Sequence, residues 1–106
     1  MELKFDDRGL LPAIIQDDDS GEVLTLFWMS EEAVRKTLES RQVWRYSRQH
    51  QSLMLKGETS GNYLNVRKML YDCDADALVV RVQATGPACH TGERTCFYRE
   101  LGLSEV

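Results

Sequence analysis

The sequence predicts a single small α+β domain, dominated by sheet, that spans residues 1–106. Several apolar runs have the length of strands and are separated by residues that favour turns. Only one segment combines a helix cap with a helical spacing of apolar residues, and no repeat, linker or low-complexity segment interrupts the chain. A length of 106 residues is typical of one domain.

The first part of the chain predicts two strands joined by a turn. One strand is expected at 11–16, beginning beside Pro12. A second is expected at 23–28, where the run is almost wholly apolar and suits a strand buried on both faces. Residues 17–21 between them are aspartates, a serine and a glycine, which favour a turn.

A single helix is expected after these strands. Ser30 is the predicted N-cap, and two glutamates follow it where negative charge favours the positive end of the helix dipole. Val34 and Leu38 share one helical face, and the helix is expected to end near Arg41.

The rest of the chain is predicted to be mostly strand. Five further strands are expected, at 43–47, 53–56, 63–71, 77–83 and 95–98. The segment 63–71 would also fit a helical spacing. A loop with two glycines is expected at 56–61 and a turn at Gly86-Pro87.

Charge is distributed unevenly along the chain. The net charge of -4 argues against general nucleic-acid binding, which depends on a positive field. Residues 41–57 nevertheless carry four basic side chains and no acid, namely Arg41, Arg45, Arg48 and Lys56. Such a segment favours either a site for a small anion or a solvated strand face.

The sequence also predicts a cytoplasmic protein without a membrane partner. No apolar run approaches the roughly 20 residues that span a bilayer, and the first residues do not have the pattern of a signal peptide. Three cysteines cannot all pair within one chain. In a reducing compartment they are better interpreted as metal ligands or buried thiols than as disulfides.

An acidic cluster, Asp72-Cys73-Asp74-Ala75-Asp76, is the densest group of candidate ligands. In an extended segment the three aspartates point one way and Cys73 the other. Crowded carboxylates suit a hard cation such as Mg²⁺ or Ca²⁺. The spacing excludes an EF-hand, which would need Gly at the position of Ala77 and Glu at that of Gln83. The alternative is a solvated acidic turn.

Two further cysteines flank a histidine downstream. Cys89, His90 and Cys96 combine soft ligands for zinc with a residue able to act as a base. Three thiolates and a water would make an open catalytic zinc site, and the spacing does not match a zinc finger. The alternatives are buried structural thiols and a histidine without a chemical role.

Taken together, these motifs resemble the phosphoribosyl-AMP cyclohydrolase family over about residues 5–99. The matching segments are GLLPAI at 9–14, WMSEEA at 28–33, YSR at 46–48, KGETSG at 56–61, DCDAD at 72–76, GPACHTG at 86–92 and CFYR at 96–99. Departures occur between Gln49 and Leu55, where the family often shows another basic residue and a tryptophan.

The resemblance implies an intertwined homodimer with a zinc site shared between subunits. Cys73 would come from one chain, and Cys89 with Cys96 from the other. It also implies Mg²⁺ on the carboxylates of the acidic cluster. These are Asp72, Asp74 and Asp76.

The resemblance further implies a zinc-dependent hydrolase of histidine biosynthesis. It would open the adenine ring of phosphoribosyl-AMP at the N1–C6 bond and give a formimino-carboxamide ribonucleotide. We assign the proton transfers to His90 as a hypothesis. The two substrate phosphates are expected to contact Arg48, Lys56, Gly57, Thr59 and Ser60.

Three other functions would use similar residues. A zinc nucleobase deaminase needs an H-x-E and a P-C-x-x-C, which this chain lacks. A non-enzymatic module with a structural zinc would need a closing fourth ligand, such as His90 or His50. A diverged family member that acts on another nucleotide ranks above these two, because its motifs would look alike.

Overall fold

The computed structural model describes residues 2–104. The strands and the helix of this part of the chain are β1 (Leu10–Asp17), β2 (Val23–Ser30), α1 (Glu31–Ser40), β3 (Trp44–Ser47), β4 (Ser52–Leu55), β5 (Leu64–Tyr71) and β6 (Leu78–Ala84). One ten-residue helix against six strands confirms the predicted α+β class with a predominance of sheet. Each of these strands was predicted with boundaries within two residues of those observed.

Four of the strands form the main sheet, in the order β2-β1-β6-β5, and β3 pairs with β4 in a separate two-stranded sheet. The outer pairs, β1–β2 and β5–β6, are antiparallel. The central pair, β1–β6, is parallel, although the two strands lie far apart in the sequence. The sheet therefore joins two antiparallel halves along its centre.

One face of the main sheet forms the core. Leu11, Ala13 and Ile15 of β1 are buried there, because successive side chains of a strand point to opposite faces. Ala33 and Val34 of α1 belong to the same buried cluster. The helix thus supplies part of the cover for the sheet.

The opposite face of the main sheet carries an apolar row. Leu26, Ile14, Val79 and Leu70 stand at one register level, one on each strand, and we call them the outer row. Ile14, Leu26 and Leu70 are 36%, 40% and 46% exposed. An exposed apolar row that crosses a whole sheet is typical of a contact surface.

Helix α1 begins and ends as its sequence predicts. The Ser30 hydroxyl accepts a hydrogen bond from the Ala33 N–H at 3.2 Å, which confirms Ser30 as the N-cap. At the other end Arg41 adopts a left-handed conformation (φ 62°) and its N–H donates to the Thr37 carbonyl. Among residues 2–104, no helix is long and apolar enough to cross a membrane.

The predicted final strand at 95–98 is wrong. The Cys96 N–H donates to the Leu24 carbonyl at 2.7 Å, which begins a pairing with β2. The Thr95 hydroxyl, however, donates to the Val23 carbonyl and accepts from the Phe97 N–H. A side chain therefore takes the place of the next ladder bonds, and the segment runs beside β2 without becoming a strand.

Candidate active site

A cleft of about 630 Å³ opens where β2 meets the β3–β4 pair. Its wall contains both histidines of the chain, three basic side chains and a thiol, namely His50, His90, Arg45, Arg48, Lys56 and Cys96. Among the described residues, no carboxylate lines it. We call it the basic cleft. Within a chain of net charge -4, such a cleft concentrates positive potential and favours an anionic ligand.

A closed loop brings two thiols together at this cleft. The Ala88 N–H donates to the Arg94 carbonyl and the Cys89 N–H to the Glu93 carbonyl, both at 3.2 Å. Gly92 allows the reversal at the tip of the loop, because its φ of 91° suits glycine. The chain then returns along β2, and the side chains of Cys89 and Cys96 are close enough to affect each other's pKa.

The two thiols differ in acidity. Hydrogen bonds from the Thr91 side chain and backbone lower the pKa of Cys89, and the Thr91 hydroxyl lies 3.0 Å from its sulfur. Cys96 is exposed as a residue, but partial desolvation of its sulfur raises its pKa, which a hydrogen bond with Thr25 partly offsets. Of the two, Cys89 therefore holds the thiolate more readily.

Lys56 places a cation beside this pair. Burial lowers the pKa of Lys56, and the charges of Cys96 and Cys89 act in the opposite direction. The backbone N–H of Lys56 donates to the Val43 carbonyl at 3.0 Å, which fixes the main chain at the end of β4. The amine thus lies where a phosphate or a thiolate can be its partner.

The remaining predicted substrate contacts lie in an adjoining pocket of about 300 Å³. It shares Arg45, Lys56 and His90 with the basic cleft. Gly57, Thr59, Ser60 and Cys89 line its wall. The structure therefore brings the predicted substrate residues and His90 to one continuous region beside the Cys89–Cys96 pair.

The loop at 57–61 depends on glycine at its first position. Gly57 has φ 96°, and a Cβ there would lie 2.8 Å from backbone atoms of Asn62 and Tyr63. The Gly61 N–H donates back to the Gly57 carbonyl at 2.8 Å, and the Glu58 N–H donates to the Leu55 carbonyl. The loop is closed by its own backbone bonds.

The three aspartates of the acidic cluster converge, although not in an extended segment. The prediction of a strand with alternating side chains is wrong, because residues 72–76 form a turn. The Ala75 and Asp76 N–H groups donate to the Asp72 carbonyl and carboxylate, both at 3.0 Å, and Ala75 has φ 59°. Aspartate often bonds to its own backbone in this way.

This turn has the geometry of a cation site. One carboxylate oxygen from each of Asp72, Asp74 and Asp76 lies within 4.8 Å of the others. Oxygens bound at 2.0–2.6 Å to one ion lie at most about 5 Å apart, so the set fits a hard divalent cation. The Asp76 N–H lowers the pKa of Asp72, whereas a hydrogen bond with Asp72 raises the pKa of Asp76.

Cys73 lies in the same turn and is exposed. The turn joins β5 to β6, and β1 lies between β6 and β2, whose Leu24 carbonyl accepts from the Cys96 N–H. Among the described residues, no group of three possible metal ligands includes a cysteine. One chain therefore brings together two of the three predicted zinc ligands, Cys89 and Cys96, and leaves Cys73 apart.

Several residues of the site were not assigned by the sequence. The Arg45 guanidinium lies 5.3 Å from the centre of the Phe27 ring, in the cleft wall. Thr91 is the donor to Cys89, and Trp28 forms another part of the wall. Arg45 belongs to the basic segment, which is the one signal that could have identified it.

Comparison with known proteins gives consistent results. A family model described as phosphoribosyl-AMP cyclohydrolase matches residues 25–98. A phosphoribosyl-AMP cyclohydrolase of Bacillus cereus is 53% identical over 94 residues, which are 89% of this chain and 93% of the relative. One of Prosthecochloris aestuarii is 50% identical over 98 residues, with shares of 92% and 72%.

Longer relatives also match. The histidine biosynthesis bifunctional protein HisIE of Oceanobacillus iheyensis is 53% identical over 104 residues. These are 98% of this chain but 48% of the relative. The chain therefore spans about half the length of the bifunctional relatives it matches.

Proposed function

The chain belongs to the phosphoribosyl-AMP cyclohydrolase family, and we propose that it is the hydrolase that opens the adenine ring of phosphoribosyl-AMP at the N1–C6 bond. The product would be the formimino-carboxamide ribonucleotide of histidine biosynthesis. The observation that carries this proposal is a basic cleft without carboxylates next to a pair of adjacent thiols. A cytoplasmic location and the absence of nucleic-acid or membrane partners stay predictions from the sequence.

The charge of the cleft suits this substrate, which carries two phosphate monoesters. Arg48 and Lys56 line the cleft; Arg48 is proposed to hold one phosphate through the planar fork of its guanidinium, and Lys56 to act as a point charge. The Glu58 and Gly61 N–H groups are used within the loop. Gly57, Thr59 and Ser60 are therefore the loop positions whose N–H groups are proposed to meet a phosphate.

We assign zinc to Cys89, Cys96 and the Cys73 of a second copy. The fit is supported by the adjacency of the first two thiols and by the lowered pKa of Cys89, since thiolates are the ligands that zinc prefers. A zinc ion bound there would supply a Lewis acid that activates water. Mg²⁺ is assigned to Asp72, Asp74 and Asp76, whose oxygens have the required spacing.

His90 is the proposed proton carrier. It is exposed, follows Cys89 directly and lines both the basic cleft and the adjoining pocket. Substitution at N1 makes the adenine ring electron-poor, so that water can add to C6. His90 would take the proton of the attacking water and give it to N1 as the N1–C6 bond breaks.

A homodimer with shared sites is part of the same proposal. Cys73 lies at the far side of the main sheet from the thiol pair, so a complete set of three needs a second chain. The outer row offers an apolar surface that a second copy would cover. Both features support a dimer in which each active site takes residues from two subunits.

The direct test is ring opening of phosphoribosyl-AMP, followed by ultraviolet absorbance in the presence of Mg²⁺. Zinc-loaded protein should turn over, chelated protein should not, and restoring zinc should restore the rate. Cys89→Ser should lose turnover while circular dichroism shows a retained fold. Absence of turnover by folded, zinc-loaded protein would contradict the proposal and favour a structural zinc or another nucleotide.

A further inference from the structure

Two arginines from distant parts of the chain meet on one aromatic ring. The Arg8 and Arg48 guanidinium carbons lie 5.0 and 5.5 Å from the centre of the Trp28 ring. Trp28 and Arg48 line the basic cleft, whereas Arg8 comes from the turn before β1. The face of an aromatic ring attracts guanidinium groups, so the Trp28 side chain is a common contact of both arginines.

Arg8 is held in this position by Asp6. One Asp6 carboxylate oxygen accepts from the Arg8 Nε at 3.2 Å and Nη2 at 2.7 Å. The other accepts from the backbone N–H groups of Arg8 and Leu10, at 2.9 and 3.0 Å. The carboxylate is thus tied to the backbone, and the guanidinium is fixed before any ligand arrives. Its Nη1 group makes none of these bonds and is left for another acceptor.

The cluster formed by Arg8, Arg48 and Trp28 retains positive charge. Asp6 offsets Arg8, and within residues 2–104 Arg48 forms no ion pair. The Arg8 side chain is 50% exposed, so an incoming ligand can reach it. Guanidinium groups with net positive charge are the groups that bind oxyanions in proteins.

The cluster lies at the opposite end of the β3–β4 pair from Lys56. Arg48 follows Ser47, which pairs with Ser52, and Lys56 follows Leu55, which pairs with Trp44. Three residue steps separate the two ends, which is about 10 Å along a strand. Arg48 and Lys56 therefore place cations at two separate points of the cleft, which suits a ligand with two phosphates.

We propose that Arg8 and Arg48, held on the ring of Trp28, bind one phosphate monoester of the substrate, which makes Arg8 a substrate-binding residue. The phosphate site itself rests on the geometry of these residues. Only the identity of the molecule that carries the phosphate rests on the proposed function. The two can therefore fail separately.

Trp28 provides the readout for the test. Trp44→Phe leaves Trp28 as the sole tryptophan, and its emission can be followed during titration with inorganic phosphate at constant ionic strength. In this background, Arg8→Met should raise the apparent Kd about tenfold, since a charge-assisted contact is lost. Arg8→Lys, which keeps the charge and a partner for Asp6 but not the planar fork, should give a smaller increase.

Arg35→Met is the matched control. Arg35 is an exposed arginine that pairs with Glu32 at 3.9 Å on α1, and it does not line the basic cleft. Arg35→Met should leave the apparent Kd for inorganic phosphate unchanged. An Arg8→Met variant that titrates like its parent, with a folded state shown by thermal unfolding, would overturn the inference.

Turnover separates this inference from the proposed function. Arg8→Met should raise KM for phosphoribosyl-AMP about tenfold while kcat stays close to that of the parent. Weakened phosphate binding in a protein without turnover would support the phosphate site and contradict the reaction. Normal turnover with an unchanged KM in Arg8→Met would overturn the phosphate site alone.

Discussion

At the level of single residues, two thiols and an amine beside the basic cleft alter one another's pKa. Thr91 lowers the pKa of Cys89, whereas partial desolvation of the sulfur raises that of Cys96. Lys56 lies close enough to compensate negative charge on both. A cation near two thiolates limits their repulsion before a metal ion arrives.

His90 can be tested against the other histidine of the cleft. His90→Asn should lower kcat by about 10²–10⁴-fold, which is the usual contribution of a positioned acid or base, with KM and zinc content kept. His50→Asn is the matched control, because His50 lines the same cleft without being adjacent to a thiol residue in sequence. Loss of zinc from either variant would instead support a structural zinc closed by that histidine.

Asp17 gives a prediction for the pH dependence of stability. Hydrogen bonds from the Ser20 N–H and hydroxyl, both 2.8 Å, hold its pKa below the ordinary value, with a smaller contribution from Arg94. A lowered folded-state pKa stabilises the protein above about pH 4, the unfolded value, and the stabilisation is lost as pH falls through the folded value.

Asp17→Asn should therefore lower the free energy of unfolding by about 1 kcal/mol at pH 7, measured by urea denaturation. The difference from the parent should shrink as the pH falls below about 4. Asp19→Asn removes an equal charge from an exposed position in the same turn and should have little effect. If the loss of unfolding free energy in Asp17→Asn did not change with pH, a lowered pKa of Asp17 would not be its cause.

A site residue can be predicted from the sequence when the residues it contacts are close to it in the chain. Cys89, His90 and Cys96 come together through one short loop, so their spacing already suggested a common site. Arg8 reaches Trp28 only because Pro12 pairs with Trp28 across β1 and β2. Such a contact depends on strand register, which no local pattern reveals.

At the level of elements, the acidic turn shows how a sequence pattern can be misleading. Alternating aspartates have the spacing of a strand, but aspartate is disfavoured in strands and readily bonds nearby N–H groups. The bond from the Asp76 N–H to the Asp72 carboxylate closes a turn. The carboxylates converge as predicted, but the cause is the turn and not the alternation of side chains along a strand.

The requirement for glycine in the loop at 57–61 can be tested by adding one methyl group. Gly57→Ala combines a strained φ with a clash against the backbone of Asn62, so it should destabilise the protein by about 2 kcal/mol or more in urea denaturation. It should also raise KM, because the loop carries proposed phosphate contacts. Gly61→Ala has a similar φ of 79° but meets nothing within 4 Å. Equal effects of the two substitutions would show that φ strain alone matters.

At the scale of the whole molecule, the sequence predicted the fold class but not the arrangement of the strands. Strand positions follow from local composition, whereas the order β2-β1-β6-β5 depends on contacts between segments far apart in the chain. The expectation that residues 1–106 form one domain stays a prediction, as does the homodimer. The outer row cannot be identified from the sequence, because only the strand register places its four members side by side.

The proposed sharing of active sites between two subunits predicts complementation between inactive variants. Cys73→Ala and Cys89→Ala should each be inactive alone. If both are refolded together in equal amounts, half of the dimers are mixed and each has one complete site, so about a quarter of the parent activity should return. A mixture of two Cys89→Ala preparations is the control. No recovery, with mixed dimers shown by mass spectrometry, would contradict sharing of ligands between chains.

The parallel pairing of β1 with β6 also has a consequence during synthesis. Ala13 pairs with Leu78, so the inner edge of β1 has no neighbour until the ribosome has added 65 further residues. At about 5–20 residues per second, that edge stays open for roughly 3 to 13 seconds. An open strand edge invites pairing with other chains, so the nascent protein is most prone to aggregate in the interval before β6 emerges.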